Sequence, residues 1–234
     1  MANIDREPQE RNLLETTRLK AVSRLHTYLQ TSSEGILRPD QATVMQDFYD
    51  FLLAGNTAGT IVRKPGTGKT VIAAKIIDIL KLKTVIFSPT GEILDKTKQT
   101  IERFAPEVNV TNFDRRSKDL SGQAVNTTLA SAQKIADNIP FAKGVELILV
   151  DEVDDETLGR ERYKLWRRFP NALFLGLTAT PDFSQLTALR MQGEVTLRER
   201  WTGMFTNRIH EMSGEEAEKF WHQLMFIFLQ PILL

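Results

Sequence analysis

A doubly wound α/β parallel sheet is the fold class this sequence predicts, and three observations predict it. From Gly59 onward, short β-rich runs alternate with helical stretches. Runs such as Val85-Ile86-Phe87 and Leu147-Ile148-Leu149-Val150 lack polar alternation, as strands covered on both faces do. Glycine-rich and acidic motifs follow directly after such runs, where parallel sheets hold ligands beyond their carboxyl ends.

The elements follow in chain order. Residues 8–30 carry Leu13, Leu14, Leu19, Val22, Leu25 and Leu29 at roughly helical spacing with charges between them, which predicts an amphipathic packing helix. Ser32-Ser33-Glu34-Gly35 breaks it, and a second helix is expected from Pro39 to about Leu53, with proline in its first turn. Strands are expected over 60–63, 84–88, 124–129, 146–150 and 172–177, and helices over 69–80, 92–104, 131–138 and 157–169. The chain thus divides into an N-terminal helical segment (1–35), an α/β lobe (36–182) and a C-terminal segment (183–234). Within the last, residues 201–209 and 212–220 read as a connector.

Composition narrows the function classes. The 234 residues include 30 basic and 30 acidic side chains, three histidines and no cysteine. One large domain, or a domain with attached segments, fits that length. Without cysteine there are no disulfides, thiolate zinc sites, iron–sulfur clusters or thiol nucleophiles. Zero net charge leaves only local patches to attract nucleic acid or anionic lipid. The N-terminus lacks the apolar run of a secretory signal. Residues 224–234 hold nine apolar side chains in eleven, well short of the ~20 a spanning helix needs. They read as a terminal helix packed on the body or on a further domain, or as a tail left by truncation or a frame change. No membrane association and a cytoplasmic location (nuclear in a eukaryote) are expected.

The strongest local signal is Lys64-Pro65-Gly66-Thr67-Gly68-Lys69-Thr70, between a predicted strand and a predicted helix. Gly66, Thr67 and Gly68 let backbone N–H groups close around phosphate oxygens, and the helix N-terminus adds positive potential. Lys69 would reach the β- and γ-phosphates, and the Thr70 hydroxyl would ligate Mg2+. The general pattern places a glycine five positions before the last one, where this chain has Arg63. Leu147-Ile148-Leu149-Val150 then runs into Asp151-Glu152-Val153-Asp154. An apolar strand ending in adjacent carboxylates fits a second nucleotide motif, with Asp151 on magnesium and Glu152 orienting and deprotonating water.

At this point residues 36–181 resemble the first RecA-like lobe of the superfamily 2 helicases and translocases. Ile36-Leu37-Arg38-Pro39-Asp40-Gln41 resembles the family's Q-motif region, residues 64–70 motif I, and Ser88-Pro89-Thr90 with Leu94 motif Ia. Thr127-Thr128-Leu129-Ala130-Ser131-Ala132-Gln133-Lys134 resembles motif Ib, residues 151–154 motif II, and Leu177-Thr178-Ala179-Thr180-Pro181 motif III. The resemblance implies ATP as the nucleotide, with Gln41 reading the adenine edge. It implies that Asp154, Thr178 and Thr180 couple the nucleotide to the nucleic-acid surface, and that Pro89, Thr90 and Thr128 approach a strand's backbone.

The departures carry information too. Motif II reads Asp-Glu-Val-Asp, motif Ia lacks the Arg-Glu-Leu-Ala run of DEAD-box RNA helicases, and Thr178 stands where those have serine. These variants lean towards the DNA translocase, repair and restriction-subunit branches, so DNA is favoured over RNA. The 53 residues after Pro181 are too few for a second RecA-like lobe, which takes roughly 100 or more. No Gln-x-x-Gly-Arg-x-x-Arg motif VI occurs among them. The chain therefore reads as an ATP-binding motor lobe whose second lobe lies elsewhere. The alternatives are a nucleotide- or nucleic-acid-binding module without productive catalysis, and an AAA+ ATPase, which leaves Gln41 and Thr178-Ala179-Thr180 unexplained. Arg160, Arg162, Lys164, Arg167 and Arg168 cluster beside Tyr163 and Trp166 but read as a solvated helix face, with Leu165, Trp166 and Phe169 on its buried side.

Overall fold

Strands and helices alternate along the chain in the computed structural model, which describes residues 8–31, 37–152, 168–179 and 208–212. Helix α1 (Pro8–Thr31) and helix α2 (Pro39–Leu53) lead into strand β1 (Ala58–Val62) and helix α3 (Lys69–Leu80). Strand β2 (Thr84–Ser88), helix α4 (Gly91–Phe104), strand β3 (Val110–Phe113) and strand β4 (Ala124–Thr128) follow. A 3-10 turn (Leu129–Ser131) and the short helices α5 (Ala132–Asp137) and α6 (Ile139–Gly144) precede β5 (Leu147–Asp151), β6 (Leu173–Thr178) and β7 (Arg208–Glu211).

The seven strands form one sheet in the order β3-β4-β2-β5-β6-β1-β7, and every pairing among them is parallel. From β1 the chain steps one way to β2 and β3, then returns through β4, β5 and β6. Right-handed crossovers put outgoing and returning helices on opposite faces, and the core divides accordingly. Alternate residues Ile86, Leu147, Leu149, Leu173, Leu175 and Leu177 pack with α1–α4. Their neighbours Val85, Phe87, Ile148, Val150 and Phe174 pack with α5, α6 and Phe169. β2 and β5 read as unbroken apolar runs because both faces are covered.

The structure differs from the sequence expectation in the stripe of α1, the end of β1 and the two edge strands. The buried stripe of α1 is Leu14, Thr17, Arg18, Ala21 and Leu25, whereas Leu13 and Leu19 are about half exposed. The i, i+3, i+4 face that meets α2 and α3 admits Arg18 because its guanidinium donates to Leu52 O and pairs with Glu15. The predicted 60–63 strand ends at Val62, leaving Arg63 in the loop. Strands β3 and β7 were not foreseen. β7 lies inside the stretch read as a connector and pairs with β1, so the sheet continues beyond residue 182. The predicted 157–169 helix lies almost entirely outside the described residues. No helix among the described residues is long and apolar enough to cross a membrane.

Candidate functional site

The carboxyl edge of the sheet brings three strand ends together. Register pairs Val62 of β1 with Thr178 of β6, and Leu177 of β6 with Asp151 of β5. The loop after β1 needs its glycines, since Gly66 and Gly68 adopt φ of 75° and 88° in the left-handed region. A side chain at Gly68 would also meet Gln41 Nε2 at 3.0 Å. Lys69 then opens α3, with Thr70 beside it in the first turn.

Lys69 Nζ donates to Glu152 Oε1 at 2.9 Å, joining the phosphate loop to the end of β5. Glu152 itself has φ of 52°, an uncommon conformation for a residue with a side chain. Burial pushes the Asp151 carboxyl above its ordinary value, the neighbouring Glu152 charge adds to this, and Lys69 pulls the other way. Two adjacent carboxylates with a raised carboxyl pKa form a site that a divalent cation would relieve. Asp151 and Thr70 fit that group.

Arg63, the departure from the glycine pattern, is fully buried. Its side chain turns back beneath the loop: it donates to the Asp40 carboxylate, to Asp40 O at 3.2 Å and to Thr67 Oγ1 at 3.4 Å. Its own amide donates to Thr178 O at 2.9 Å. Arg38 donates to Thr67 O at 2.8 Å and to Asp40 at 3.1 Å. Burial opposes ionisation of Asp40, but hydrogen bonds from Arg38 and Arg63 outweigh it and hold the carboxyl below its usual range. Thr67 is wholly buried: its hydroxyl donates to Lys64 O at 2.7 Å, its amide donates to Lys64 O at 3.4 Å, and its carbonyl accepts from Arg38 and Arg63. Gln41, also buried, accepts from the Arg38 amide at 3.2 Å. The sequence signal for Arg63 and Asp40 was the misplaced arginine, but their pairing across 23 residues was not legible from spacing.

Pro89, Thr90 and Thr128 line a separate groove of about 870 Å³ at the β2–β4 end of the same edge. Sequence reasoning missed its other wall, Arg115, Arg116 and Lys118 on the β3–β4 connection, and also Lys134 on α5. Arg116 is taken up by Asp95 and Asp114 at 3.1 Å each. Asp154 and Thr180 lie outside the described residues.

A phosphate loop and a paired carboxylate motif on a RecA-like parallel sheet define the first lobe of the superfamily 2 helicases and translocases. The chain belongs to the family described as Type III restriction enzyme, res subunit, which it matches over residues 34–183. It is 26% identical over 177 residues to the DNA 3'-5' translocase XPB2 of Sulfurisphaera tokodaii, covering 73% of this chain and 37% of that protein. It is 30% identical over 158 residues to the putative helicase 109L of Invertebrate iridescent virus 3, covering 63% of this chain and 46% of that one. The chain thus spans under half the length of these relatives. A hypothetical ATP-dependent RNA helicase from Sulfolobus tokodaii shares the fold with a TM-score of 0.56 at 15% identity, over 83% of this chain and 57% of that one. The UvsW helicase from Bacteriophage T4 does so with a TM-score of 0.54 at 14% identity, over 80% and 66%.

Proposed function

We propose that this chain is the ATP-binding lobe of an ATP-dependent translocase or helicase, hydrolysing Mg·ATP to move along nucleic acid once a second RecA-like lobe completes it. The observation that carries the reading is Lys69 held 2.9 Å from Glu152 across the ends of β1 and β5. Lys69 and the loop amides bind the β- and γ-phosphates, and Glu152 takes the proton of the attacking water. Thr70 and Asp151 would hold magnesium, which when bound draws charge off the phosphates. Gln41 reads adenine, and Asp154, Thr178 and Thr180 pass the nucleotide state to the groove. Pro89, Thr90 and Thr128 sit along the strand's backbone there. The motif variants, the restriction family and the DNA translocase relative together favour DNA over RNA.

The test is ATP turnover with and without single- and double-stranded DNA and RNA, beside Glu152→Gln. Stimulation by one nucleic acid, lost in the variant, names the substrate. Magnesium-dependent ATP binding that requires Lys69 but yields no turnover identifies an intact half-motor that awaits its second lobe. Absence of ATP binding overturns the proposal.

A further inference from the structure

The middle of β4 carries a side-chain amide in the buried interior of the sheet. Asn126 is completely buried, registered against Ile86 of β2 and Asn112 of β3. A side-chain amide there is costly unless every polar atom is satisfied, and here it is. Nδ2 donates to Leu94 O at 2.8 Å and to Asn112 Oδ1 at 3.2 Å, while Oδ1 accepts from Ser88 Oγ at 3.4 Å. The chain of bonds continues outward: Asn112 Nδ2 donates to Asp95 at 3.3 Å, and Asp95 accepts Arg116.

Each residue in this relay stands just before, or on, a wall of the groove. Ser88 precedes Pro89 and Thr90, Asn126 precedes Thr128, and Asn112 precedes the connection that carries Arg115 and Arg116. Leu94 O anchors the first turns of α4, whose Gly91 and Glu92 also line it. Valine would fill this position with similar volume and no polar demand. A buried network is a device for fixing one arrangement rather than for adding stability.

We propose that Asn126 is a positioning residue: through Ser88, Leu94 and Asn112–Asp95–Arg116 it sets the mutual placement of the groove walls and thereby the affinity for a nucleic-acid strand. The assignment of the strand rests on the proposed function; the placement of the walls does not. Two readouts on the 234-residue chain separate them. In amide hydrogen exchange, Asn126→Val speeds exchange in residues 90–92, 114–118 and 128–131 and leaves residues 63–69 unchanged. In binding of a labelled oligothymidylate, Asn126→Val weakens affinity about tenfold, as expected for the loss of one to two buried hydrogen bonds, with Mg·ATP affinity retained. Adding Arg116→Ala to Asn126→Val then costs less than Arg116→Ala costs alone, because the two act through one chain of bonds. Asn112→Ala, at a more exposed position, gives the same pattern and serves if Asn126→Val does not fold.

Unchanged exchange at the three walls overturns the inference whatever the wild type binds. Exchange that rises equally in residues 63–69, with ATP affinity falling in step, also overturns it, since the role is then general packing. Local loosening in a protein that binds no oligonucleotide upholds the positioning role and removes the nucleic-acid reading instead.

Discussion

Around the phosphate loop, the Arg63 side chain is fully buried beneath backbone, and its partner Asp40 is 29% exposed. Around the groove, Arg116 is 65% exposed and its partner Asp95 52%. Both arginines meet aspartates, on the same edge of the same sheet. The buried pair fixes the shape of a loop, and water screens it little. The exposed pair adds little to stability, and salt or a competing phosphate can exchange it. The contrast teaches that one edge can hold a loop fixed from beneath and, beside it, a surface whose charges remain negotiable.

The sharpest way to break that comparison is chemical. Glu152→Gln should lower nucleic-acid-stimulated ATP turnover by roughly 10²–10⁴-fold, while ATP binding, measured by titration calorimetry, stays intact or tightens because Lys69 is released. Lys69→Ala should instead weaken Mg·ATP binding, by roughly 10- to 100-fold for a lost charge-assisted contact. Equal ATP affinity in Lys69→Ala and wild type would remove the phosphate loop from the comparison.

Next comes the buried pair itself. Arg63→Met should destabilise the fold by about 2 kcal/mol, the scale for losing hydrogen bonds to a charged group, read as a lower urea midpoint at unchanged slope. Arg116→Ala should change that midpoint hardly at all. The pH dependence follows from the sign of the Asp40 shift. Its folded-state carboxyl lies below the unfolded value of about 3.9, so its contribution is fully present above that pH and is lost as pH falls through the folded value. Asp40→Asn should therefore flatten the acid limb of the melting temperature against pH below about pH 4, and an unaltered limb would assign acid sensitivity elsewhere.

The smallest effect belongs to the groove. Among its described cations, Arg115, Lys118 and Lys134 pair with no carboxylate, which leaves about three charges free to displace counterions. Single-strand binding by this lobe should then show a log–log salt slope of about −2.1, and Lys134→Ala should reduce it by about 0.7. A slope several times steeper would mean that the groove is not where the strand lies.

The same contrast explains what could be read from the sequence. β2 and β5 were legible because burial on both faces forces continuous apolar runs, and the loop of Gly66 and Gly68 because only glycine suits its backbone. The strands at the sheet's two edges were not legible. Val110-Thr111-Asn112-Phe113 has two apolar residues, and Arg208-Ile209-His210-Glu211 has one, so pairing with β4 and β1 rather than local propensity makes them strands. In the site, Lys69, Asp151 and Glu152 stand out by motif. Arg63 with Asp40, and Arg115 with Lys134, are assembled only when distant segments meet, and no local pattern announces such encounters. Leu13 and Leu19 show the converse error, since a leucine near a helical stripe is not thereby inside it.

Strand β7 gives the molecule a mechanical property. It lies parallel to β1, Met212 donates to Val62 O at 3.1 Å, and His210 Nδ1 lies 2.8 Å from Asp47 Oδ2 on α2. A pull on the chain beyond Met212 would therefore arrive at the lip of the phosphate loop, loading the β1–β7 hydrogen bonds together in shear rather than unzipping them one at a time. A load on Met212 would be passed through the β1–β7 hydrogen bonds to the strand that leads into the phosphate loop.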